Sequence, residues 1–304
     1  MITRAIGLFA VVLLAGCVAP PEWRSDFDDA LRAARQDGQE LAVFFALPGR
    51  AASDFMMSRL SDPIVMDALA AGGFAAAIAD GVQQKRLYGA WVGGGEGMGM
   101  AVVDGKGYCY AARPGPQDPE QVAAFLDMCV SQRVTLAKLR HKLQQADAGP
   151  TDQHALGCLL LELGCRVHAE PLLLQAAALG VTDASHRLAR LYALDGNLTA
   201  ARQWLKAAPR IPAAMLTEGY VRFKERRHQE AIKAFQAALA TGQLGSDRQH
   251  ALLYLGKSLH ESKRDDLAIP VLEALVAEKT GSTFEAAATH TLGHIYNPSH
   301  GHGQ

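Results

Sequence analysis

The spacing of apolar residues changes along the chain. Up to about residue 135, helical periods alternate with apolar runs of four to six residues, which are typical of strands. Such an order predicts a mixed sheet covered by helices on both faces. The predicted strands are 41–46, 74–79, 100–103 and 107–111, and the predicted helices are 26–36, 51–60, 63–71 and 118–132.

The second part of the chain, after residue 145, has only the helical pattern, and small residues recur in it at long intervals. The intervals of 32, 30, 37 and 37 residues are irregular, so they indicate a divergent array of repeats, the last one truncated. The recurring small residues are Gly157, Ala189, Gly219, Gly256 and Gly293.

These recurring positions resemble those of the tetratricopeptide and Sel1-like repeat families, over about 150 residues. In these families the small residue lets the two helices of a hairpin approach closely, near an alanine twelve positions later. Residues 150–297 are therefore expected to form an α-solenoid of helical hairpins. The alanines at that distance are Ala169, Ala201, Ala231 and Ala268.

The same resemblance implies a concave surface, lined by the first helix of each hairpin, where a peptide or partner protein binds. Arg190 and Lys257 lie among its implied residues, and they favour a partner that carries carboxylates. The implied groove residues are His154, His186, Arg190, Tyr220, Phe223, His250, Lys257 and His260.

Three segments of the first part, WRSDFDDALRAARQDGQELAVFFA, SDPIVMDAL and MAVVDGKGY, resemble the thioredoxin-like domains of secreted bacterial proteins. The resemblance implies a thioredoxin-like domain over residues 22–135. Counting from the SDP motif places the family's two redox cysteines on Arg50 and Ser53, and counting from Asp104 places its cis-proline on Met98. A thiolate and a resolving thiol are both missing, so the fold is expected without its redox chemistry. Arg50 is then either a solvated surface residue or an anion site.

The first seventeen residues, MITRAIGLFAVVLLAGC, have the layout of a secretory signal, with an arginine, a short apolar run and small residues at its end. The run is too short to span a bilayer. Its last four residues resemble the bacterial lipobox, which implies lipidation of Cys17 and a place on the outer membrane, facing the periplasm. The alternatives are a plain signal peptide cut elsewhere and an uncleaved apolar helix.

Charge, length and cysteine content limit the partners, the number of domains and the disulfides that the chain is expected to have. A formal net charge of −1 disfavours nucleic acid as a partner, and 304 residues suit two domains. In an oxidising compartment the remaining cysteines are able to pair, as Cys109 with Cys129 or Cys158 with Cys165. Buried free thiols are the alternative, and the sequence leaves the choice open.

Histidine has an uneven distribution, because all eleven histidines lie after residue 140. His290 and His294 are four residues apart, so on a helix they share one face and can share a metal ion such as Cu or Zn. His300 and His302, in the polar tail of residues 298–304, could join them. A polar groove without metal is the alternative.

Together these patterns predict an α/β domain followed by an all-α repeat domain, in a lipid-anchored envelope protein without enzymatic activity. Its expected role is that of an interaction scaffold or assembly adaptor that docks a protein partner in the groove. Metal handling by the histidines is the second hypothesis. A thiol–disulfide oxidoreductase is the third, and it would require Cys109 or Cys129 to have taken over the missing chemistry.

Overall fold

The computed structural model describes residues 22–93, 97–280 and 282–297. The sequence-based fold class is confirmed, since a mixed α/β sheet is followed by paired helices. The strands are β1 (Trp23–Arg24), β2 (Glu40–Ala46), β3 (Phe74–Asp80), β4 (Gly99–Val103) and β5 (Cys109–Pro114). The helices around the sheet are α1 (Phe27–Asp37), α2 (Ala51–Arg59), α3 (Pro63–Gly72), α4 (Lys85–Trp91) and α5 (Pro119–Leu143).

The remaining described helices form hairpins. The first hairpin is α6 (Pro150–Glu162) with α7 (Arg166–Ala178), and the second is α8 (Thr182–Leu194) with α9 (Leu198–Ala207). The third is α10 (Pro212–Lys224) with α11 (His228–Ala240), and the fourth is α12 (Arg248–Glu261) with α13 (Asp265–Val276). α14 (Thr283–Tyr296) packs on the fourth hairpin as the first helix of a fifth unit.

The sheet has the order β1-β3-β2-β4-β5, with the first three strands parallel and the last two antiparallel to their neighbours. β2 is central, and its residues Leu41–Ala46 are buried on both faces, as their continuous apolar run requires. This mixed sheet with flanking helices is compatible with a thioredoxin-like domain.

The helix boundaries follow from their caps. Asp26 and Asp62 accept hydrogen bonds from the first turns of α1 and α3, and Pro63 occupies the first position of α3. α5 runs eleven residues past its predicted end at 132, because its buried stripe continues through Leu136. β1 and α4 were not predicted, since two strand residues and one short helix carry too little periodicity.

The recurring small residues lie where the helices of each hairpin approach. A Cβ atom on Gly157 would lie 2.9 Å from Leu173, and one on Gly219 would lie 2.7 Å from Phe235. The corresponding separation from Gly256 to Leu272 is 2.5 Å. In each case this close neighbour is sixteen positions along the chain, while the alanines at twelve positions are themselves fully buried.

The first hairpin packs directly on the sheet, and one hydrophobic core extends from Phe27 to Ala169. The Ala112 backbone N–H donates to the Leu163 carbonyl oxygen at 3.0 Å, which joins β5 to the α6–α7 turn. Gly164, with φ of +80°, allows this contact, because a Cβ there would lie 2.2 Å from the Ala112 oxygen. The limits of the two domains at 135 and 150 stay a prediction. Across the described residues, no helix is both long and apolar enough to cross a bilayer.

Candidate partner-binding surface

The first helices of the hairpins, α6, α8, α10 and α12, lie side by side, and their facing side chains form the surface that we call the groove. All eight groove residues implied by the sequence lie on these helices. His186, Tyr220 and His250 are buried, whereas the other five are partly exposed. The groove is therefore filled at its centre by its own side chains.

An aromatic junction forms that centre. Tyr220 on α10 lies 4.9 Å from Tyr254 on α12, ring centroid to centroid, and Phe223 lies 5.1 Å from the same Tyr254 ring. His250 contacts Tyr220 and Tyr254, and it stacks on Phe284 of α14 at 5.4 Å. Burial, with the nearby Arg190 charge, lowers the pKa of His250 to about 4, so the imidazole is neutral at pH 7.

Two lysines border this junction. The Lys224 Nζ atom lies 5.4 Å from the Tyr220 ring centroid, and Lys257 Nζ lies 5.6 Å from that of Tyr254. Burial lowers the pKa of Lys257, and the Lys224 charge lowers it further. Within the part of the chain that the structure describes, neither ammonium has a carboxylate partner within 4 Å. The two charges are therefore open to an anion from outside.

Arg190 has a different environment. Its two terminal guanidinium nitrogens donate to the two oxygens of Asp247, at 2.7 and 2.8 Å. Burial alone would raise the pKa of Asp247, but the hydrogen bonds and the charge of Arg190 lower it. Arg190 and Asp247 neutralise each other. Arg190 is therefore already paired within the protein, unlike Lys257.

A cleft of about 640 Å³ lies between the end of β5 and the helices α6 to α8. We call it the arginine cleft, since its lining includes Arg113, Arg166, Arg187 and Arg190, with Glu162 and Asp247 as its acidic members. Arg166 pairs with Asp195, outside the lining, and Arg187 approaches Glu162 only to 4.0 Å.

Arg113 carries the least compensated charge of the cleft. Its guanidinium donates to the Ala112 carbonyl oxygen at 3.0 Å and lies 5.1 Å from the Phe125 ring centroid. Among the described residues it has no carboxylate within 4 Å. Burial lowers its pKa, and the charge of Arg166 lowers it further. The cleft thus has excess positive charge beside the groove.

His154 and His186 share one carboxylate. Asp183 lies 3.1 Å from His154 Nε2 and 3.0 Å from His186 Nδ1. Cys158 Sγ approaches the same His154 Nε2 at 3.3 Å, so this nitrogen cannot serve both neighbours in a proton relay. Burial raises the pKa of Cys158 to about 11, which keeps the thiol protonated. The cluster has the polar contacts of a packed interface rather than an activated nucleophile.

The remaining candidate histidines lie further along the repeats. His260 Nδ1 pairs with Asp265 Oδ1 at 2.6 Å. His290 and His294 are on the exposed side of α14, with their Nε2 atoms 3.3 Å apart. None of the residues that the structure describes forms a cluster of three or more metal ligands. His300 and His302, like Cys17, lie outside the described residues.

The loop on which the sequence resemblance placed the redox positions has structural contacts. Ser53 is fully buried, and its Oγ accepts the Leu47 backbone N–H at 2.8 Å. Arg50 is exposed before the first turn of α2, and Met98 is buried. Burial raises the pKa of the Cys129 thiol to about 12, which disfavours redox chemistry there.

Sequence reasoning missed Lys224, Tyr254, Arg113, Arg187 and Asp247. The spacing could have indicated Tyr254, since it follows the predicted groove residue His250 by one helical turn. Arg113 and Asp247 come from a strand and from a short turn before α12, so only the packing of distant segments brings them to the groove.

Comparison with known proteins bears on the helical part. Residues 216–283 match the model of the tetratricopeptide repeat family. The matched segment runs from within α10 to the first residue of α14, and it contains the two bordering lysines and every residue of the aromatic junction except Phe284. No curated protein matches the chain.

Proposed function

We propose that this protein is a non-catalytic interaction scaffold whose groove docks an acidic segment of a protein partner. The observation that carries the proposal is the pair of lysines, Lys224 and Lys257, which lie over tyrosine rings and have no carboxylate partner among the described residues. The match of residues 216–283 to the tetratricopeptide repeat family supports a partner that is a protein.

The chemistry of the groove favours carboxylates in an extended chain. Ammonium groups bind carboxylates through charge-assisted hydrogen bonds, and the partial burial of Lys257 strengthens such a bond there because water screens it less. Tyr254 and Phe223, both half-buried, offer ring surface to the aliphatic part of such a segment. The arginine cleft, whose lining shares Arg190 with the groove, extends the positive surface to a second point of contact.

The proposal includes a location. The lipobox-like end of the first seventeen residues supports a lipid anchor at Cys17 and a place on the periplasmic face of the outer membrane. The partner would then be an envelope protein, and the scaffold would help to assemble or hold its complex. Labelling cells with a radioactive fatty acid tests the anchor, and Cys17→Ala should abolish the label.

A photo-crosslinking amino acid at Phe223 tests the groove itself. We expect a discrete adduct from position 223 and none from exposed Ala237 on α11, the second helix of the same hairpin. An Asp/Glu-rich peptide should compete with the adduct, whereas the Asn/Gln counterpart should not. Equal adducts from both positions, or equal competition by both peptides, would contradict docking of an acidic segment.

The distance of 3.3 Å between the Nε2 atoms of His290 and His294 favours a second candidate function, metal handling. Two nitrogens that bind one Zn²⁺ ion at about 2.1 Å with tetrahedral angles lie about 3.4 Å apart. His300 and His302 are the proposed additional ligands. Calorimetric titration with ZnCl₂ and CuCl₂ should show one binding site in the unmodified protein. The double variant His290→Ala with His294→Ala should lack this site, and the control variant His141→Ala should still have it. Equal affinity in all three proteins would exclude the site.

A further inference from the structure

Cys109 and Cys165 meet at the junction between the sheet and the first hairpin. Cys109 begins β5, and Cys165 directly precedes α7. The Cys165 thiol donates to the Cys109 carbonyl oxygen at 3.4 Å, across 56 positions of sequence. Both residues are fully buried and carry free thiols.

The surrounding backbone holds the two cysteines together. The hydrogen bond from Ala112 to Leu163 lies on one side of the pair, and the Cys165 N–H donates to the Leu160 carbonyl oxygen at 2.8 Å. On the other side, the rings of Tyr108 and His168 stack at 4.7 Å. These contacts hold the strand and the turn next to each other in the reduced protein.

The other two described cysteines have different neighbours. Cys158 Sγ turns toward His154, and Cys129 lies inside α5. Sequence spacing had left open a pairing of Cys158 with Cys165 or of Cys109 with Cys129. The packing instead brings Cys109 and Cys165 together, from two segments that are remote in sequence.

We propose that Cys109 and Cys165 form a reversible disulfide that locks the first helical hairpin onto the sheet. The oxidant is a low-molecular-weight or protein disulfide, as an oxidising compartment supplies. The Cys165 thiolate attacks one oxidant sulfur and displaces one thiolate, which gives a mixed disulfide. The Cys109 thiolate then attacks the Cys165 sulfur and displaces the second thiolate. The two cysteine protons pass to the two released thiolates, and two electrons pass from the protein to the oxidant.

The order of these steps follows from the thiol environments. Burial, together with the neighbouring Cys165 thiol, raises the pKa of Cys109, while the interaction with Cys109 lowers the pKa of Cys165. Cys165 is therefore the attacking sulfur. Because both sulfurs are buried, the oxidant reaches them during folding or when the hairpin opens from the sheet.

The disulfide would act on the arginine cleft, and this consequence rests on the proposed function. Arg166 directly follows Cys165, and Arg113 lies on the same strand as Cys109, so each cysteine is attached to one wall of the cleft. Oxidation fixes the separation of these two arginines. A partner that uses the cleft would then bind differently to the oxidised and the reduced protein.

Peptide mapping of the full chain tests the bond without any mutation. The reduced, denatured protein is refolded in a glutathione redox buffer, alkylated and digested without reductant. We expect one linked peptide pair that joins Cys109 to Cys165, with Cys129 and Cys158 alkylated. Recovery of Cys109 and Cys165 as alkylated thiols, or linkage of either one to another cysteine, would overturn the proposal even if the groove binds its partner.

Thermal unfolding gives a second measurement. The oxidised protein should unfold roughly 5 to 10 °C above the reduced one, because the bond restricts the unfolded chain. Cys165→Ala should remove the difference and Cys158→Ser should retain it. If Cys165→Ala fails to fold, the mapping result alone decides. An equal melting temperature in both redox states, with the bond present, would contradict the lock.

Discussion

Arg190 and Asp247 are joined by two hydrogen bonds of 2.7 and 2.8 Å, although 57 positions separate them in sequence. Arg190 is on the second hairpin, and Asp247 directly precedes the fourth. The pair therefore bridges across the third hairpin, whose first helix carries Tyr220. The protein itself therefore supplies the carboxylate that pairs with Arg190 in the groove.

Asp247→Asn should destabilise the repeats, because it leaves the partly buried Arg190 charge without an opposite charge and with one hydrogen-bond acceptor fewer. We expect a loss of about 2 kcal/mol in the free energy of unfolding, measured by urea denaturation. Glu230→Gln is the matched control, since the Arg227–Glu230 pair has similar geometry and is much more exposed. Its loss should be about 0.5 kcal/mol or less, and equal losses would contradict a structural role for the bridge.

Substitutions at two glycines distinguish the effect of close packing on stability from the effect of helix propensity. Gly256→Ala places a Cβ 2.5 Å from Leu272 and should cost about 1–3 kcal/mol. Gly293→Ala meets no described atom within 4 Å, because α14 has no described helix packed at that position. It should stabilise α14 by about 0.5–1 kcal/mol. Thermal melts of both variants check the prediction, and shifts of the same sign would contradict it.

The parts of the fold that depend on local periodicity could be predicted from the sequence. The apolar run of β2 and the recurrence of Gly157, Gly219 and Gly256 are local signals, and they gave the strands and hairpins. The pairing of Arg190 with Asp247 depends on how separate hairpins pack together, which no local pattern encodes. Cys109 and Cys165 meet for the same kind of reason, since the docking of a hairpin on a sheet is a long-range contact.

Ser53→Ala should show that the loop between β2 and α2 is held in place by the Ser53 hydroxyl. The substitution leaves the buried Leu47 N–H without an acceptor, and the expected cost is about 1–3 kcal/mol. Ser58→Ala, at an exposed serine of the same helix, should change the free energy of unfolding by less than about 0.5 kcal/mol. Chemical denaturation of the two variants checks the difference. Equal stability would mean that the Ser53 hydroxyl has no structural role.

Acidification should destabilise the aromatic junction through His250. Its pKa is lowered from the usual 6.5 to about 4 in the folded protein, so the unfolded chain takes up the proton first as the pH falls. The stabilisation is complete above pH 6.5 and declines down to about pH 4, by up to roughly 3 kcal/mol. Besides the rings around it, the groups that face His250 are Arg190, which disfavours the proton, and Asp247, which favours it.

His250→Phe keeps a ring in the junction and removes this titration. The free energy of unfolding of the variant should therefore fall less steeply between pH 6.5 and pH 4 than that of the unmodified protein. His141→Gln, at an exposed position of α5, should retain the original slope. Identical slopes in all three proteins would show that His250 does not link proton uptake to unfolding.

The two lysines bordering the junction should control affinity for an acidic partner. Lys224→Gln with Lys257→Gln removes both ammonium charges and keeps most of each side chain, so binding of an Asp/Glu-rich peptide should weaken about tenfold or more. The affinity of the unmodified protein should fall as salt rises, and the double variant should lose most of that dependence. Lys233→Gln, exposed on α11, removes one charge away from the groove and should leave affinity and salt dependence unchanged. Fluorescence anisotropy at several salt concentrations measures both quantities. If the double variant and Lys233→Gln weaken binding alike, net charge rather than the groove attracts the peptide.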